Sequence, residues 1–155
     1  MQQYVTKEQA LQKAKHFCAY QERCHKEVKE KLYELGLHKS DVEEALSKLI
    51  EENYLNEERF AIVFAGGRFR TKQWGRVKIK YELKQKQVSV YCINKALYAI
   101  DEDEYEKTFR KLFNDKFKTL KAEKNTFIKR KKVQSYLLQK GYEAQLINRA
   151  FDQLR

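Results

Sequence analysis

The chemistry that the sequence suggests most strongly is binding of an anionic partner by clustered lysine and arginine side chains. The segment 68–86 contains eight basic residues and one acidic residue, Glu82, with Trp74 and Tyr81 between them. A second segment, 116–140, contains nine basic residues and one acidic residue, Glu123. Such a density of positive charge favours contact with phosphates or with an acidic protein groove. The alternative is that these are solvated faces which only aid solubility.

We expect the binding surface to be built mainly from the first segment, with support from the second. Trp74 stands next to Gly75 in a polar, turn-like stretch, so we expect an exposed indole ring that stacks on a base or fills a partner pocket. A place in the core is the alternative for this ring. The predicted surface comprises Arg68, Arg70, Lys72, Trp74, Arg76, Lys78, Lys80, Arg130, Lys131 and Lys132.

No residues are predicted to perform catalysis or to bind a metal or cofactor. His16, Cys18, Cys24 and His25 are close in sequence, but on a helix His16 and Cys18 point about 200° apart, and no paired zinc-binding motif is present. The acidic run 101–106 could suggest a metal-dependent nuclease, although a helix N-terminus favours the same charges. There is no phosphate-binding glycine loop and no nucleophile elbow. A non-enzymatic protein is therefore expected.

Composition indicates that helices must position these residues. The chain has 155 residues, enough for one domain, with no proline and only five glycines. Sandwiches and barrels need turn-forming residues about every 8 to 12 residues, and this chain cannot supply them, so an all-α fold is predicted. With 42% apolar residues and ten Tyr, nine Phe and one Trp, the chain can bury enough surface to fold.

The sequence also predicts where in the cell the protein is located. No uncharged stretch approaches the roughly 20 residues needed to cross a bilayer, and no secretory signal is recognisable, so a cytoplasmic protein without membrane contact is expected. Three cysteines, an odd number, fit reduced thiols better than a disulfide framework. We expect a monomer.

Seven apolar positions recur three times along the chain, at spacings of 51 and then 54 residues. Periods near 50 residues indicate repeated supersecondary units. The last four positions of each copy follow the i, i+3, i+4, i+7 pattern of one helical face. The first copy consists of Val28, Leu32, Leu37, Val42, Ala45, Leu46 and Leu49, the second of Ile79, Leu83, Val88, Ile93, Ala96, Leu97 and Ile100, and the third of Val133, Leu137, Tyr142, Ile147, Ala150, Phe151 and Leu154.

Each repeat is predicted to contain three helices. Thr6 with Gln9, Asn56, and Asp101 with Glu104 are typical N-terminal caps for the first helix of each repeat. The second and third helices are separated by Gly36, Gln87 and Gly141, where glycine favours a left-handed C-cap and Gln87 should make a poorer one. We expect a single domain, 1–155, with units at about 6–53, 54–100 and 101–155, stacked into an elongated, curved array.

The basic charge is unevenly distributed among the repeats. Residues 1–66 carry a net charge of −2 and residues 67–155 a net charge of +13. In the first repeat Lys26, Lys29 and Lys31 are balanced by three glutamates on the same helix. Because that helix is neutral, we infer that the fold itself does not require the charge of Arg76 and Lys78, nor that of Arg130 and Lys132 at the matching positions of the third repeat.

Several segments resemble the motifs of RecX, a family of bacterial regulators of the RecA recombinase. The motifs are weak individually but specific in their order and spacing, and the resemblance covers residues 10–155. The first repeat has cysteine and histidine at positions 24 and 25, where serine and a basic residue are usual, and the second has Gln87 for the usual glycine. The resemblance is carried by Tyr54 to Ala61, then Arg68, Gly75, Ile79, Glu82 and Leu83, and in the first repeat by Arg23 to Val28, Lys31 and Leu32.

The resemblance implies tandem three-helix units without enzymatic activity that lie in the groove of the RecA filament on single-stranded DNA. There they bridge protomers and limit filament extension, ATP hydrolysis and strand exchange, with roles in DNA repair, recombination and the SOS response. Direct contact with single-stranded or double-stranded DNA stays open. The rival hypothesis is a stand-alone nucleic-acid-binding protein built from units similar to helix-turn-helix modules. A third is an adaptor that bridges proteins and whose basic faces only aid solubility.

Overall fold

The computed structural model describes residues 5–154 and confirms the all-α tandem-repeat architecture. Within these residues it contains nine α-helices and no β-strand. Residues 1–4 and 155 of the expected domain lie outside the described part. The first repeat contains α1 (Lys7–Tyr20), α2 (His25–Glu34) and α3 (Lys39–Glu51), the second α4 (Glu57–Lys72), α5 (Arg76–Gln85) and α6 (Val90–Tyr98), and the third α7 (Glu102–Thr119), α8 (Thr126–Lys140) and α9 (Ala144–Asp152).

The predicted N-terminal caps are confirmed for the first helix of each repeat. Thr6 and Gln9 form a reciprocal capping box at α1. The side chain of Asn56 accepts a hydrogen bond of 2.8 Å from the Arg59 amide at α4, and Asp101 accepts one of 3.0 Å from the Glu104 amide at α7. These side chains satisfy amide groups that have no partner within the helix.

The three positions between the second and third helices share one backbone conformation. Gly36, Gln87 and Gly141 have φ angles of 97°, 61° and 99°, all in the left-handed region. Glycine adopts this conformation without steric cost, whereas a side chain raises its energy by about 1–2 kcal/mol. The prediction that Gln87 forms the poorer cap therefore has a structural basis.

Most repeated apolar positions are buried, as predicted. The exceptions are Leu97 and Ala150, which are half-buried, and Leu154, which is 55% exposed. The prediction was wrong for Leu154 because α9 ends at Asp152, so that residue lies past the helix and off its apolar face.

The described chain comprises two compact units. One contains the residues up to 64 together with 83–95, and its core is a cluster from α1, α2 and α3 that includes Val28, Leu32 and Leu49. The other contains 65–82 and the residues from 96 onward. All ten predicted site residues belong to this second unit, which we call the basic unit.

Aromatic rings form much of the core of the basic unit. Tyr105 on α7 lies 5.7 Å from Phe69 on α4 and 5.3 Å from Tyr142 just after α8, measured between ring centroids. Phe109 lies 5.4 Å from Tyr142, and Phe113 lies 5.1 Å from a ring on α9. Ring pairs at these distances stabilise a core beyond their buried area. This core fixes α4 and α8, which carry most of the predicted site residues.

Two glycines allow the start of α5 to lie directly on the end of α8. The amide of Gly75 donates to the carbonyl of Lys140 at 2.8 Å, and the amide of Val77 donates to the carbonyl of Gly141 at 2.9 Å. A Cβ atom on Gly75 would lie 2.6 Å from the Tyr142 nitrogen, closer than Cβ atoms approach in proteins. The unpaired amides of one helix thus satisfy the unpaired carbonyls of another.

Candidate interaction surface

Four of the predicted residues form a cluster around one indole ring. The distances from the centroid of the Trp74 ring are 4.7 Å to Nζ of Lys78, 5.4 Å to Nζ of Lys72 and 5.7 Å to the guanidinium carbon of Arg68. Each lies within the range at which a cation is attracted to an aromatic ring. We call Arg68, Lys72, Trp74 and Lys78 the Trp74 cluster.

The secondary structure explains why these four side chains meet. Arg68 and Lys72 are four residues apart on α4 and therefore lie on one face of that helix. Lys78 is on the first turn of α5, and Trp74 lies in the short connection between the two helices. Gln73 in the same connection has a φ of 58°, a left-handed conformation between the end of α4 and the start of α5.

Residues from the third repeat hold this connection in place. The Tyr142 hydroxyl donates to the carbonyl of Gln73 at 2.9 Å, and Nζ of Lys140 donates to the carbonyl of Lys72 at 3.1 Å. With the backbone bonds at Gly75, they fasten the segment on both sides of Trp74. The Trp74 cluster is therefore presented by a fixed backbone, which lowers the entropy cost of binding a partner.

Two of the three cations in the Trp74 cluster are not neutralised by a carboxylate within the described residues. Lys72 is exposed, and Lys78 is half-buried. Neither forms an ion pair with a carboxylate of residues 5–154. Like charges held around one ring repel each other, and an anionic partner relieves that repulsion.

Trp74 is half-buried, between the two alternatives that the sequence left open. Its ring already lies near three cationic groups, and part of its surface faces solvent. A base or an apolar side chain can reach that part, while phosphates or carboxylates reach the cations around it.

Arg76 has a structural role that the sequence did not reveal. Its guanidinium carbon lies 3.9 Å from the centroid of the Tyr105 ring, and its Nη2 is 2.7 Å from Oε2 of Glu102. A second carboxylate, Glu143, is 3.9 Å from Nη1. Because these partners lie within the basic unit, we expect the charge of Arg76 to stabilise the fold, in contrast to the inference from the neutral helix of the first repeat.

Tyr105 links the Arg76 site to the start of α9. Its hydroxyl accepts a hydrogen bond of 3.0 Å from the Arg76 amide and donates one to a carboxylate oxygen of Glu143. The ring is almost fully buried, and this burial raises the pKa of the hydroxyl far above its usual value near 10. The hydroxyl therefore stays protonated and keeps both hydrogen bonds.

The structure does not bring the other predicted residues to the Trp74 cluster. Arg70 is two residues from Arg68 and from Lys72, so it points about 200° away around α4. Lys80 is likewise two residues from Lys78 on α5. Both are exposed and lie on other faces of their helices.

The three predicted residues on α8 point in successive directions around that helix. The guanidinium of Arg130 lies 4.6 Å from the Phe151 ring, Nζ of Lys131 lies 5.5 Å from the Phe127 ring, and Nζ of Lys132 is 4.0 Å from a carboxylate oxygen of Glu123. Arg130 is ten residues before the end of α8, a distance of about 15 Å along the axis. These residues form a second basic region within the same unit.

Residues that could suggest a metal site or catalysis have other positions and partners. His16 is exposed and Cys18 buried, as expected for opposite faces of α1. Cys24 precedes α2 and donates its thiol to Glu27 at 3.3 Å, and burial raises the pKa of this thiol to about 11. All three cysteines are free and buried. Among residues 5–154 no three metal-ligating side chains converge.

The acidic run at 101–106 begins α7 as its helix-start interpretation predicted. Asp101 is the N-cap, and Glu102 pairs with Arg76. Negative charge at this end of a helix is favoured by the helix dipole. Across the described part of the chain no helix is both long enough and apolar enough to span a bilayer.

Four residues of this region were not predicted from the sequence. Lys140, Tyr105 and Glu143 form hydrogen bonds that position the site. Phe127 is exposed beside Lys131. The residues that hold the site carry ordinary helical signals, and their partners are distant in sequence. Near Phe127 the sequence offers a local signal for the start of a helix, Asn125. Its side chain caps α8 by accepting a hydrogen bond of 3.2 Å from the Ile128 amide.

Comparisons with known proteins point to one family along most of the chain. The family models described as the first, second and third three-helix domains of RecX match residues 10–49, 56–97 and 102–151, in that order. Their order and extent agree with a triplicated three-helix chain.

Individual relatives carry the same name. A curated relative called regulatory protein RecX, from Clostridium perfringens (strain 13), is 35% identical over 124 residues, which cover 79% of this chain and 58% of that protein. Another, from Prosthecochloris aestuarii, is 30% identical over 148 residues, which cover 94% of this chain and 93% of that protein. The chain thus spans little more than half the length of the first relative.

A solved structure has the same fold. The crystal structure of RecX from Lactobacillus salivarius superposes with a TM-score of 0.84 and covers 96% of both chains, at 24% sequence identity. At this identity the similarity concerns the fold alone.

Proposed function

Because this chain belongs to the RecX family of regulatory proteins, we propose that it is a non-enzymatic modulator of RecA that acts mainly as an inhibitor. It binds along the groove of the RecA filament on single-stranded DNA, in the cytoplasm, as a monomer. There it limits filament extension, ATP hydrolysis and strand exchange.

The observation that supports this proposal best is the Trp74 cluster. Arg68, Lys72 and Lys78 surround a partly accessible indole ring on a backbone that hydrogen bonds fix at both ends. Rigid aromatic residues next to cations are typical of energetically dominant interface positions. Acidic side chains of a filament groove and phosphates of its DNA are the partners that this chemistry fits.

Binding through more than one basic region would strengthen a contact with a repeating filament. The basic unit carries the Trp74 cluster and, on α8, Arg130, Lys131 and Lys132. When two such contacts engage one filament, the second is effectively intramolecular, and avidity rises without any new type of contact. Lys80 and Arg70 lie on further faces and contribute to the general positive field of the unit.

The direct test is the rate of ATP hydrolysis by the RecA protein of the same cell on single-stranded DNA, with and without this protein. We expect the rate to fall as the protein is added and filament lengths in electron micrographs to shorten in parallel. An unchanged rate and unchanged lengths at saturating protein would refute the proposal.

The stand-alone nucleic-acid-binding hypothesis is a second candidate, favoured by the ring and the three cations of the Trp74 cluster. It predicts tight binding to naked DNA or RNA whose affinity falls steeply with salt, without RecA. Trp74 is the single tryptophan of the chain, so its fluorescence reports binding at the cluster directly. Quenching by oligonucleotides alone, with no effect on RecA, would favour this candidate over the first.

A further inference from the structure

The third repeat has an additional helical turn that the other two lack. The repeat spacing aligns His25, where α2 begins, with Arg76, where α5 begins, and with Arg130 in the third repeat. Helix α8 nevertheless begins at Thr126, one turn earlier, and has 15 residues where α2 and α5 have 10. Two repeats fold without this turn, so the architecture does not require it.

The additional turn presents two large apolar side chains to solvent. Phe127 is 69% exposed and Ile128 is 40% exposed. The equivalent positions, Gln73 and Trp74 in the second repeat, lie in a non-helical connection. Exposed bulky apolar side chains next to each other are typical of interaction sites when they border a concave surface.

A shallow groove of about 430 Å³, largely open to solvent, lies beside these side chains between α7 and α8. The ring of Tyr136 forms part of its wall, with Nζ of Lys116 5.0 Å from the ring centroid. No aspartate or glutamate lines it, although Oε2 of Glu123, outside the lining, lies 4.0 Å from Nζ of Lys132. The lining consists of Lys116, Phe127, Ile128, Lys131, Lys132, Ser135, Tyr136 and Gln139.

We propose that this groove, which we call the α8 groove, binds an acidic protein segment that inserts a bulky apolar side chain between Phe127 and Tyr136. Its carboxylates pair with the lysines at the rim, which carry three positive charges and face no acidic residue within the lining. The apolar side chain covers Phe127 and Ile128, which are otherwise in contact with water.

A protein segment fits the groove better than a nucleic acid does. A base needs a free aromatic face, whereas Nζ of Lys116 and Nζ of Lys131 lie 5.0 Å and 5.5 Å from the centroids of the Tyr136 and Phe127 rings and cover one face of each. A concave surface with an apolar wall and a cationic rim accommodates a side chain flanked by acids. This proposal deepens the proposed function. It rests on that function only for the identity of the protein that supplies the acidic segment.

The test uses the full chain without RecA and measures fluorescence anisotropy of a labelled peptide made of glutamates around one phenylalanine–leucine pair. We expect binding that Phe127→Ser weakens about tenfold or more and Lys131→Gln weakens about threefold, with the second effect lost at high salt. Phe127 is largely exposed, so its replacement should leave the thermal unfolding midpoint unchanged.

Matched controls are available elsewhere in the basic unit. Val77→Ser removes an apolar side chain that is 53% exposed on the basic helix α5, and Lys107→Gln removes an exposed positive charge on α7. Neither should alter peptide affinity. An equal loss in Phe127→Ser and Val77→Ser, or no binding of the peptide, would overturn the proposal.

A parallel titration with oligothymidine distinguishes the nucleic-acid alternative. If Phe127→Ser weakens oligothymidine binding and leaves peptide binding unchanged, the groove binds nucleic acid and the proposal is wrong. If the peptide binds as expected while RecA activity is unaffected by the protein, the proposed function fails and the assignment of the α8 groove stands.

Discussion

The contact between α5 and the end of α8 gives a quantitative test of how the Trp74 cluster is held. Gly36 and Gly141 occupy equivalent positions in their repeats and have nearly the same φ, 97° and 99°. A Cβ atom on Gly36 meets no atom within 4 Å, whereas one on Gly141 would lie 2.7 Å from the backbone nitrogen of Lys78. Alanine at either position is therefore strained by the left-handed backbone, but only alanine at position 141 also clashes with Lys78.

The expected magnitudes follow from this difference. The left-handed conformation costs alanine about 1–2 kcal/mol, partly offset by about 0.4–1 kcal/mol because alanine restricts the unfolded chain. We expect Gly36→Ala to lower the free energy of unfolding by about 1 kcal/mol. Overpacking against a backbone adds about 1–3 kcal/mol, so the expected loss for Gly141→Ala is about 2–4 kcal/mol.

Urea denaturation followed by far-UV circular dichroism and by Trp74 fluorescence measures both variants. Because the clash involves Lys78, which lies over the Trp74 ring, Gly141→Ala should also change the emission of the folded protein, while Gly36→Ala should not. Equal losses of stability in the two variants, with unchanged emission in both, would refute the packing described for these helix ends.

Three other perturbations have defined outcomes. Gln87→Gly should raise the free energy of unfolding by about 0.5 kcal/mol, since relief of left-handed strain slightly exceeds the entropy that glycine adds to the unfolded chain; a lower urea midpoint would contradict this. Arg76→Ala should lower the free energy of unfolding by about 1–2 kcal/mol, because the ring contact and the carboxylate partners of Arg76 are lost. The control Lys80→Ala should change it by less than about 0.5 kcal/mol. Equal effects of the two variants in urea denaturation would show that Arg76 does not stabilise the fold. Burial raises the pKa of the Cys24 thiol to about 11 from an unfolded value near 9. The stability that the protonated thiol contributes is therefore complete below pH 9 and is lost as pH rises from about 9 to 11. A Cys24→Ala protein should lose less stability over that interval, and identical profiles of stability against pH would argue against the shift.

Local signals made most of the fold predictable. The caps at Thr6, Asn56 and Asp101 each involve a side chain and an amide three residues away, so sequence alone contains both partners. The repeated apolar positions were predictable because helical periodicity determines which residues face a core. Leu154 was misassigned since nothing local shows that α9 ends two residues earlier.

The site was predictable only in part. A sequence shows which residues are charged, but it does not show which distant residues they contact in the folded protein. Arg76 and Lys78 read as equivalent basic residues, yet Arg76 meets Glu102 and Glu143 inside the unit, 26 and 67 residues away. That Arg68 and Lys72 lie on one face was implicit in their spacing. The contact of both with Trp74 depends on the left-handed conformation of Gln73, which a glutamine side chain does not predict.

We propose that the Trp74 cluster of this RecX-family chain binds the RecA filament. The most direct measurement compares two triple variants in RecA-catalysed ATP hydrolysis on single-stranded DNA at moderate salt. One variant removes Arg68, Lys72 and Lys78 by substitution with glutamine, and the control removes the exposed Lys13, Lys29 and Lys39 in the same way, with the same change of net charge. We predict that the control inhibits hydrolysis like the unaltered protein and that the cluster variant needs at least a tenfold higher concentration. Equal inhibition by the two variants would contradict the account.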